Sequence, residues 1–215
     1  MQIPVDLVIF DFDGTLVDTG EDIALSVRHT LEQLNLPILE KAEILTFIGD
    51  GVIRLIELAT TGQDQALRDK ALAIFSEHYD RHMMDHASLY PGVVEFLRHF
   101  AQKRKVILTN KRLRFTEKMA AALQIGDFFN EIIGADSTPF MKPDPRLVSN
   151  LLLRHPADRA RTIMIGDGIN DILLARNAGI LSAGYLRGLG SREEILALGP
   201  DMVFEDFGEL HQKMI

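Results

Sequence analysis

The stretch VDLVIFDFDGT, residues 5–15, carries the strongest structural signal in this chain. Its apolar run is interrupted only by Asp6 and ends in two carboxylates, Asp11 and Asp13, just before Gly14. A nearly continuous apolar run predicts a strand buried on both faces, as in a parallel sheet. Two carboxylates this close repel one another unless a positive partner lies beside them. The stretch therefore predicts a buried strand with a charged site at its end.

Composition limits what the chain can do. Its 215 residues suffice for one substantial domain, or for a core with a smaller insertion. A formal net charge of −8 argues against a large nucleic-acid-binding surface. The absence of cysteine excludes disulfides, thiolate nucleophiles and cysteine-ligated zinc. No apolar stretch is long enough for a membrane span and the N-terminus lacks the basic region of a secretory signal, so we expect a soluble, cytoplasmic protein. We expect it to be a monomer or a homodimer.

Strand and helix patterns alternate over most of the chain. Runs rich in β-branched residues predict further strands at 105–109, 131–135, 162–165, 180–184 and, more weakly, 202–204. Helical patterns lie between these runs. The alternation predicts an α/β fold: a Rossmann-like, doubly wound parallel sheet with helices on both faces.

One segment breaks the alternation. Helical patterns at 21–34, 52–59 and 66–84 follow one another between the first and second strands, and no strand is evident from about 19 to 89. This is far more than a strand–helix–strand crossover needs, since such a unit has about 30 residues. We therefore expect an inserted all-helical cap domain at 17–86, on a catalytic core formed by 1–16 and 87–215.

Polar residues follow several of the predicted strands. They are Asp11, Asp13, Thr109, Asn110, Lys111, Lys142 (after a short loop), Asp167 and Asp171. In an open parallel sheet, ligands bind beyond the carboxyl ends of the strands, so these groups are expected to share one crevice. Converging carboxylates favour a hard divalent ion such as Mg²⁺, while ammonium and hydroxyl groups suit phosphate oxygens. With an Asp available as nucleophile and a second carboxyl as acid, the site indicates phosphoryl transfer.

These residues resemble the four motifs of the haloacid dehalogenase superfamily, in its phosphoglycolate phosphatase-like branch. DFDGT at 11–15 resembles the first motif and TN at 109–110 the second. Lys142 in MKPDP resembles the third, and GDGIND at 166–171 the fourth. The resemblance covers nearly the whole chain, including a helical cap inserted after the first strand.

The resemblance implies the reacting groups and the metal site. Asp11 would be the nucleophile and Asp13 the general acid and base. Asp11, the main-chain oxygen of Asp13 and Asp167 would hold Mg²⁺. The dehalogenase and phosphonatase branches lack the second Asp, so the presence of Asp13 favours cleavage of a phosphate ester.

The resemblance also implies the phosphate ligands. Thr109, Asn110 and Lys142 would bind the transferring phosphoryl group. Asp171 would orient Lys142 or a metal-bound water. Relatives often have Ser at the position of Gly168, so the contact made by that hydroxyl is not expected here.

Two features of the predicted cap bear on specificity. FIGDGVIRLIE at 47–57 resembles the specificity loop of phosphoglycolate phosphatases, in which Gly49 and Gly51 would let the backbone approach the substrate. Arg54 would pair there with a substrate carboxylate, or lie in solvent on an ordinary helix.

Three histidines, His78, His82 and His86, are spaced four residues apart. One helix face would carry all three, and such a spacing can bind a transition metal. The simpler interpretation is a solvated face near the hinge between cap and core.

The sequence thus predicts a Mg²⁺-dependent phosphatase that hydrolyses a small phosphate monoester through an aspartyl-phosphate. Its partner would be a small phosphorylated metabolite rather than nucleic acid or membrane. A phosphosugar mutase, or a pyrophosphatase or nucleotidase, would need the same core. A non-catalytic phospholigand-binding protein is the alternative from another class, although it would not require a nucleophile and an acid two residues apart.

Overall fold

Six strands form one parallel sheet at the centre of the molecule. The computed structural model describes residues 2–215. The helices and strands, in chain order, are β1 (Leu7–Phe10), β2 (Val17–Asp18), α1 (Gly20–Gln33), α2 (Lys41–Leu45), α3 (Gly51–Ala59), α4 (Gln65–His82), β3 (Ser88–Leu89), α5 (Val93–His99), β4 (Arg104–Leu108), α6 (Leu113–Ala122), β5 (Glu131–Ile133), α7 (Arg146–Arg154), β6 (Thr162–Gly166), α8 (Ile169–Ala178), β7 (Leu181–Tyr185), α9 (Arg192–Leu198), β8 (Met202–Phe204) and α10 (Phe207–Lys213). Two short 3₁₀ helices, Gly126–Phe128 and Arg159–Arg161, complete them.

The strand order of the sheet is β5-β4-β1-β6-β7-β8, and all five pairings are parallel. The chain moves outward from β1 in one direction through β4 and β5, then returns to place β6, β7 and β8 on the other side. The predicted doubly wound, Rossmann-like fold is therefore confirmed. The order reverses at β1, so the crevice between β4 and β6 is where such a sheet binds ligands.

Both faces of the sheet are covered, which explains the nearly continuous apolar strands. Leu7 and Ile9 point to one side and join the core beneath α7 and α8. Val8 and Phe10 point to the other side and pack with α5, α6 and α10. Because successive side chains of a strand alternate between faces, each residue of β1 has to be apolar. All four are completely buried.

A helical insertion, α1 to α4, lies between β2 and β3. Its apolar residues continue the core formed by α5, α6 and α10, with Ile23, Leu55 and Phe75 in the same cluster as Phe10. Helices α1 and α4 pack against each other. None of the helices within residues 2–215 combines the length and the apolar character that a membrane span requires.

Some details of the insertion differ from the prediction. Strands β2 and β3 pair antiparallel at its base, with Val17 opposite Leu89. Neither strand was predicted, and β3 lies in the segment from about 19 to 89 in which no strand was evident. Two residues per strand are too few to produce a periodic pattern. Helix α4 ends at His82, so the prediction that one helix face carries His78, His82 and His86 is wrong for His86.

Candidate active site

The polar residues that follow β1, β4 and β6 meet at one edge of the sheet. Asp11 comes directly after β1, Thr109 after β4 and Asp167 after β6. Because these strands are adjacent and parallel, their carboxyl ends open on the same side. The cavity there has a volume of about 70 Å³. Its polar lining comes mainly from Asp11, Asp13, Tyr79, Thr109, Asn110 and Lys111.

A buried lysine bridges two of the carboxylates. The Nζ atom of Lys142 lies 2.8 Å from Oδ1 of Asp11 and 2.6 Å from Oδ1 of Asp171. The lysine side chain is 2% exposed, so its charge is shielded little by water. The other oxygen of Asp171 accepts a hydrogen bond from the main-chain N–H of Gly168, 3.0 Å away. Asp171 therefore lies where it can orient Lys142, one of the two roles that the resemblance implied for it.

Asp167 is held on several sides. Its Oδ1 atom accepts a hydrogen bond from the hydroxyl of Thr15 at 2.6 Å. Its Oδ2 atom accepts from the main-chain N–H groups of Leu189 (2.8 Å) and Gly190 (3.1 Å). Gly14 has a φ of +79°, and a Cβ atom there would lie 2.1 Å from Oδ2 of Asp167. The turn after β1 therefore needs glycine for both its conformation and this close approach.

The carboxylates can accommodate a divalent cation. Side-chain oxygens of Asp11, Asp167 and Asp171 lie within 4.8 Å of one another, the one such group found among residues 2–215. Although Oδ1 of Asp11 is close to Lys142, the contact lacks hydrogen-bond geometry and this buried oxygen has no hydrogen-bond partner. An unsatisfied carboxylate oxygen beside two further carboxylates suits a hard ion with oxygen ligands.

The charges in the cluster shift several pKa values. Burial raises the pKa of Asp167 to about 6, and the charge of Asp11 adds to this effect. Burial also raises the pKa of Asp171, against the influence of Lys142. For Lys142 itself, burial acts to lower the pKa, but the carboxylates of Asp11 and Asp171 outweigh it and raise the pKa above its ordinary value. One lysine is therefore too little positive charge to keep the whole cluster ionised at low pH.

Asp13 has a different set of partners. Its Oδ1 atom accepts hydrogen bonds from the hydroxyl of Thr19 at 2.8 Å and from Nζ of Lys111 at 2.9 Å. Nζ of Lys111 also donates to the hydroxyl of Tyr79, 2.7 Å away in α4. The two carboxylates of the first motif are thus paired with separate lysines, which explains how they coexist so close together.

Asn110 links three segments of the site. Its Nδ2 group donates to the main-chain oxygens of Gly49 (2.9 Å) and Lys142 (3.2 Å). Its Oδ1 atom accepts from the N–H of Lys142 at 2.9 Å. Both protons of its amide are therefore engaged by main chain, and the residue fixes the loop that carries Lys142. Thr109 lines the cavity beside it.

The predicted specificity loop reaches the site only in part. Gly49 and Gly51 line the cavity, and a Cβ atom on Gly51 would lie 3.0 Å from the main-chain oxygen of Asn110. Arg54 does not line it: its side chain is 53% exposed, and its guanidinium pairs with Glu57 at 3.2 Å.

The histidines lie apart from this cavity. The ring of His78 stacks on the ring of His29 and on the ring of His82, with centroid separations of 4.1 and 4.4 Å respectively. Nδ1 of His86 is 2.7 Å from the buried carboxylate of Asp22. Stacked rings do not direct their nitrogens to a common point, and these side chains form no converging group of metal ligands among residues 2–215.

Sequence reasoning missed some side chains of the site and some of the pairings. Lys111 was expected in the crevice, but nothing in the sequence linked it to Asp13. Thr15 is the last residue of the first motif and Thr19 follows it closely, so a search for hydroxyls near the carboxylates would have linked both to them. Tyr79 gave no signal, because an aromatic residue four positions after Phe75 on a helix resembles an ordinary core residue.

A model of the haloacid dehalogenase-like hydrolase family matches residues 8–185. The chain is similar to the phosphoglycolate phosphatase of Vibrio cholerae, with 33% identity over 96% of this chain and 95% of that protein. It is also similar to the phosphoglycolate phosphatase of Colwellia psychrerythraea, with 35% identity over 95% of each chain.

A solved structure has a similar fold over nearly its full length. It is described as a predicted phosphoglycolate phosphatase from Haemophilus somnus. The TM-score is 0.93 and the sequence identity 28%, with 97% of each chain covered. The agreement extends over both the sheet and the helical insertion.

Proposed function

This chain belongs to the haloacid dehalogenase-like hydrolase family, and we propose that it is a Mg²⁺-dependent phosphatase acting on a small, phosphoglycolate-like phosphate monoester. The reaction would proceed through an aspartyl-phosphate on Asp11. Residues 1–16 and 87–215 would form the catalytic core. Residues 17–86 would form the cap that governs substrate specificity.

One observation carries the proposal. Asp11 has a buried oxygen with no hydrogen-bond partner, and Lys142 lies 2.8 Å from that oxygen. An exposed carboxylate would be solvated and a purely structural one would be satisfied by donors. A carboxylate that has lost part of its hydration can attack phosphorus more readily. The positive charge beside it allows a dianionic phosphoryl group to approach.

In the first step, an oxygen of Asp11 attacks phosphorus and the bond to the ester oxygen breaks. The departing oxygen takes its proton from Asp13, which lines the same cavity. Lys142 and the hydroxyl of Thr109 bind the transferring group and offset its negative charge. Asn110 contributes by holding the main chain of Lys142 in place.

In the second step, water attacks the phosphorus of the aspartyl-phosphate. Asp13, now ionised, accepts a proton from that water, and Asp11 is released as a carboxylate. The same carboxyl group therefore gives a proton in one step and takes one in the next. Helices α1, α3 and α4 cover the cavity and limit the access of bulk water.

The residues present fit a magnesium ion. Asp11, Asp167 and the main-chain oxygen of Asp13 would hold it, with Asp171 kept as the partner of Lys142. When bound, Mg²⁺ supplies positive charge to the carboxylates and to the phosphoryl oxygens.

A panel of phosphate esters that includes 2-phosphoglycolate tests the proposal. We expect phosphate release that requires Mg²⁺ and stops in EDTA. Asp11→Asn should lower turnover by at least about a thousandfold, because the amide is a poor nucleophile. Asp69→Asn is the matched control, since Asp69 is exposed and, within residues 2–215, its one side-chain hydrogen bond comes from Gln65 in its own helix.

Near-wild-type turnover by Asp11→Asn would contradict the assignment of the nucleophile. Isomerisation of a phosphosugar without phosphate release would indicate a mutase. Release restricted to pyrophosphate or nucleotides would place the chain among those hydrolases instead. Failure of the whole panel in Mg²⁺ would favour a binding protein.

A further inference from the structure

Lys111 lines the cavity and has no part in the phosphate chemistry described above. The side chain of Lys111 is 6% exposed. Its Nζ atom donates to Oδ1 and Oδ2 of Asp13, at 2.9 and 3.2 Å, and to the hydroxyl of Tyr79 at 2.7 Å. An ammonium group has three protons, so these three contacts engage all of them. The contact with Oδ2 of Asp13, at 3.2 Å, is the longest, and a stronger acceptor that enters the cavity would replace it.

The surroundings of Lys111 make an anionic acceptor favourable. The wall of the cavity formed by the insertion is apolar, with Ile23, Phe47, Val52, Leu55 and Phe75 facing it. In such surroundings water shields charges poorly, so an ammonium and a carboxylate attract each other strongly. An apolar leaving group would gain nothing from the ammonium. A leaving group that carries a carboxylate would gain a charge-assisted hydrogen bond.

Tyr79 holds the lysine in place. Its ring stacks on Phe75 with centroids 5.4 Å apart and meets the edge of Phe115 at 5.3 Å. Nζ of Lys111 lies 4.6 Å from the centre of the tyrosine ring. Because Tyr79 belongs to the insertion and Lys111 to the core, this contact fixes the ammonium only when the two parts are packed together.

The spacing of the groups matches one class of substrate. Asp13 is the group proposed to protonate the ester oxygen, and Lys111 lies 2.9 Å from it. In an ester of a 2-hydroxy acid, one carbon separates the ester oxygen from the carboxylate, so their oxygens are roughly 3 Å apart. When the ester oxygen lies against Asp13, a carboxylate at that distance from it lies beside Lys111.

We propose that Lys111 binds a carboxylate on the leaving group and thereby selects phosphate esters of small 2-hydroxy acids, with Tyr79 as its positioning residue. This rests on the proposed phosphatase function. It assigns the recognition of the acid to the residue after the second motif, rather than to Arg54, which lies away from the cavity.

Two esters that differ only in the carboxylate provide the test. The ratio of kcat/KM for 2-phosphoglycolate to kcat/KM for ethyl phosphate measures the preference for the acid. In Lys111→Met we expect this ratio to fall by about 10- to 100-fold, mainly through a higher KM for 2-phosphoglycolate. Lys118→Met should leave the ratio unchanged, since the exposed Lys118 also contacts α4, at Asp80, but does not line the cavity.

An unchanged ratio in Lys111→Met, with both rates reduced equally, would overturn the inference, because it would mean that Lys111 acts only through Asp13. Should that variant fail to fold, Tyr79→Phe replaces it. Loss of one hydrogen bond to Lys111 should lower the same ratio severalfold, and an unchanged ratio would again count against the inference.

Binding of unreactive analogues separates this inference from the proposed function. Titration calorimetry compares 3-phosphonopropionate with propylphosphonate, which lacks the carboxylate. We expect wild type to bind the first at least about tenfold more tightly and Lys111→Met to lose that preference. Equal binding of both by wild type would refute the role of Lys111 even if phosphate esters were hydrolysed. If wild type hydrolysed no ester but still preferred 3-phosphonopropionate to propylphosphonate, the proposed phosphatase function would be refuted and the role of Lys111 would be supported.

Discussion

Replacing Asp167 with asparagine should stabilise the metal-free protein at high pH. Asp167 is 3% exposed, and burial together with the charge of Asp11 raises its pKa from 3.8 to about 6. A carboxyl group whose pKa is higher in the folded state favours folding while it is protonated. That contribution is present below the unfolded pKa and is lost as the pH rises through about 6.

The size of the effect follows from the two pKa values. The difference between 3.8 and about 6 corresponds to roughly 3 kcal/mol at pH 8. The asparagine side chain keeps an acceptor for the N–H groups of Leu189 and Gly190, but Thr15 has to turn its hydroxyl, which costs about 1 kcal/mol. A net gain of about 2 kcal/mol raises the Tm of a chain of this length by roughly 4–8 °C.

Thermal unfolding in EDTA at about pH 5 and about pH 8 measures this gain. We expect Asp167→Asn to be more stable than wild type at the higher pH and similar or less stable at the lower. Adding millimolar MgCl₂ should reverse the order, because wild type gains stability from the bound ion and the variant gains much less. Asp201→Asn is the control: Asp201 also accepts hydrogen bonds from a main-chain N–H and a hydroxyl, both of Ser182, but lies outside the cluster.

Two outcomes would contradict this account. Lower stability of Asp167→Asn than of wild type in EDTA at pH 8 would mean that the carboxylate is not under electrostatic strain there. An equal Mg²⁺-induced rise in Tm for both proteins would mean that Asp167 does not hold the ion.

Two further substitutions test the construction of the site. Gly14→Ala should lower the free energy of unfolding by several kcal/mol and abolish stabilisation by Mg²⁺, because its Cβ atom would lie 2.1 Å from Oδ2 of Asp167. Gly62 has a similar φ of +85° but lies in open space, so Gly62→Ala should lower it by only about 1 kcal/mol. Thermal unfolding measures both changes. Asn110→Ala removes three hydrogen bonds that hold Lys142 and Gly49 and should lower kcat for phosphate release at least tenfold. Asn130→Ala, which removes a bond to the N–H of Lys105 at the opposite end of β4, should reduce stability while kcat is retained, and an equal loss of kcat in both variants would contradict the positional role of Asn110.

The sheet could be predicted because burial imposes a local pattern on it. Each strand covered on both faces has to be apolar along its length, and the helices between strands carry their own period. The same reasoning places Asp11, Thr109 and Asp167 together, because parallel neighbours end at one edge. The helical insertion was evident from its length between the first two strands of the sheet. Its short pair, β2 with β3, was not, because two residues form no periodic pattern.

The order of residues along the chain was enough to predict the sheet, the insertion and the set of polar groups at the carboxyl ends of the strands. How those groups are paired depends on the folded molecule. Asp11 lies against Lys142, whereas Asp13 lies against Lys111, and Tyr79 is brought to Lys111 from 32 positions away in the chain. The difference arises because strand and helix patterns are local properties of the chain, whereas ion pairs depend on side-chain directions and on how the insertion packs over the core. The partners that keep two adjacent carboxylates compatible are therefore visible only once the chain is folded.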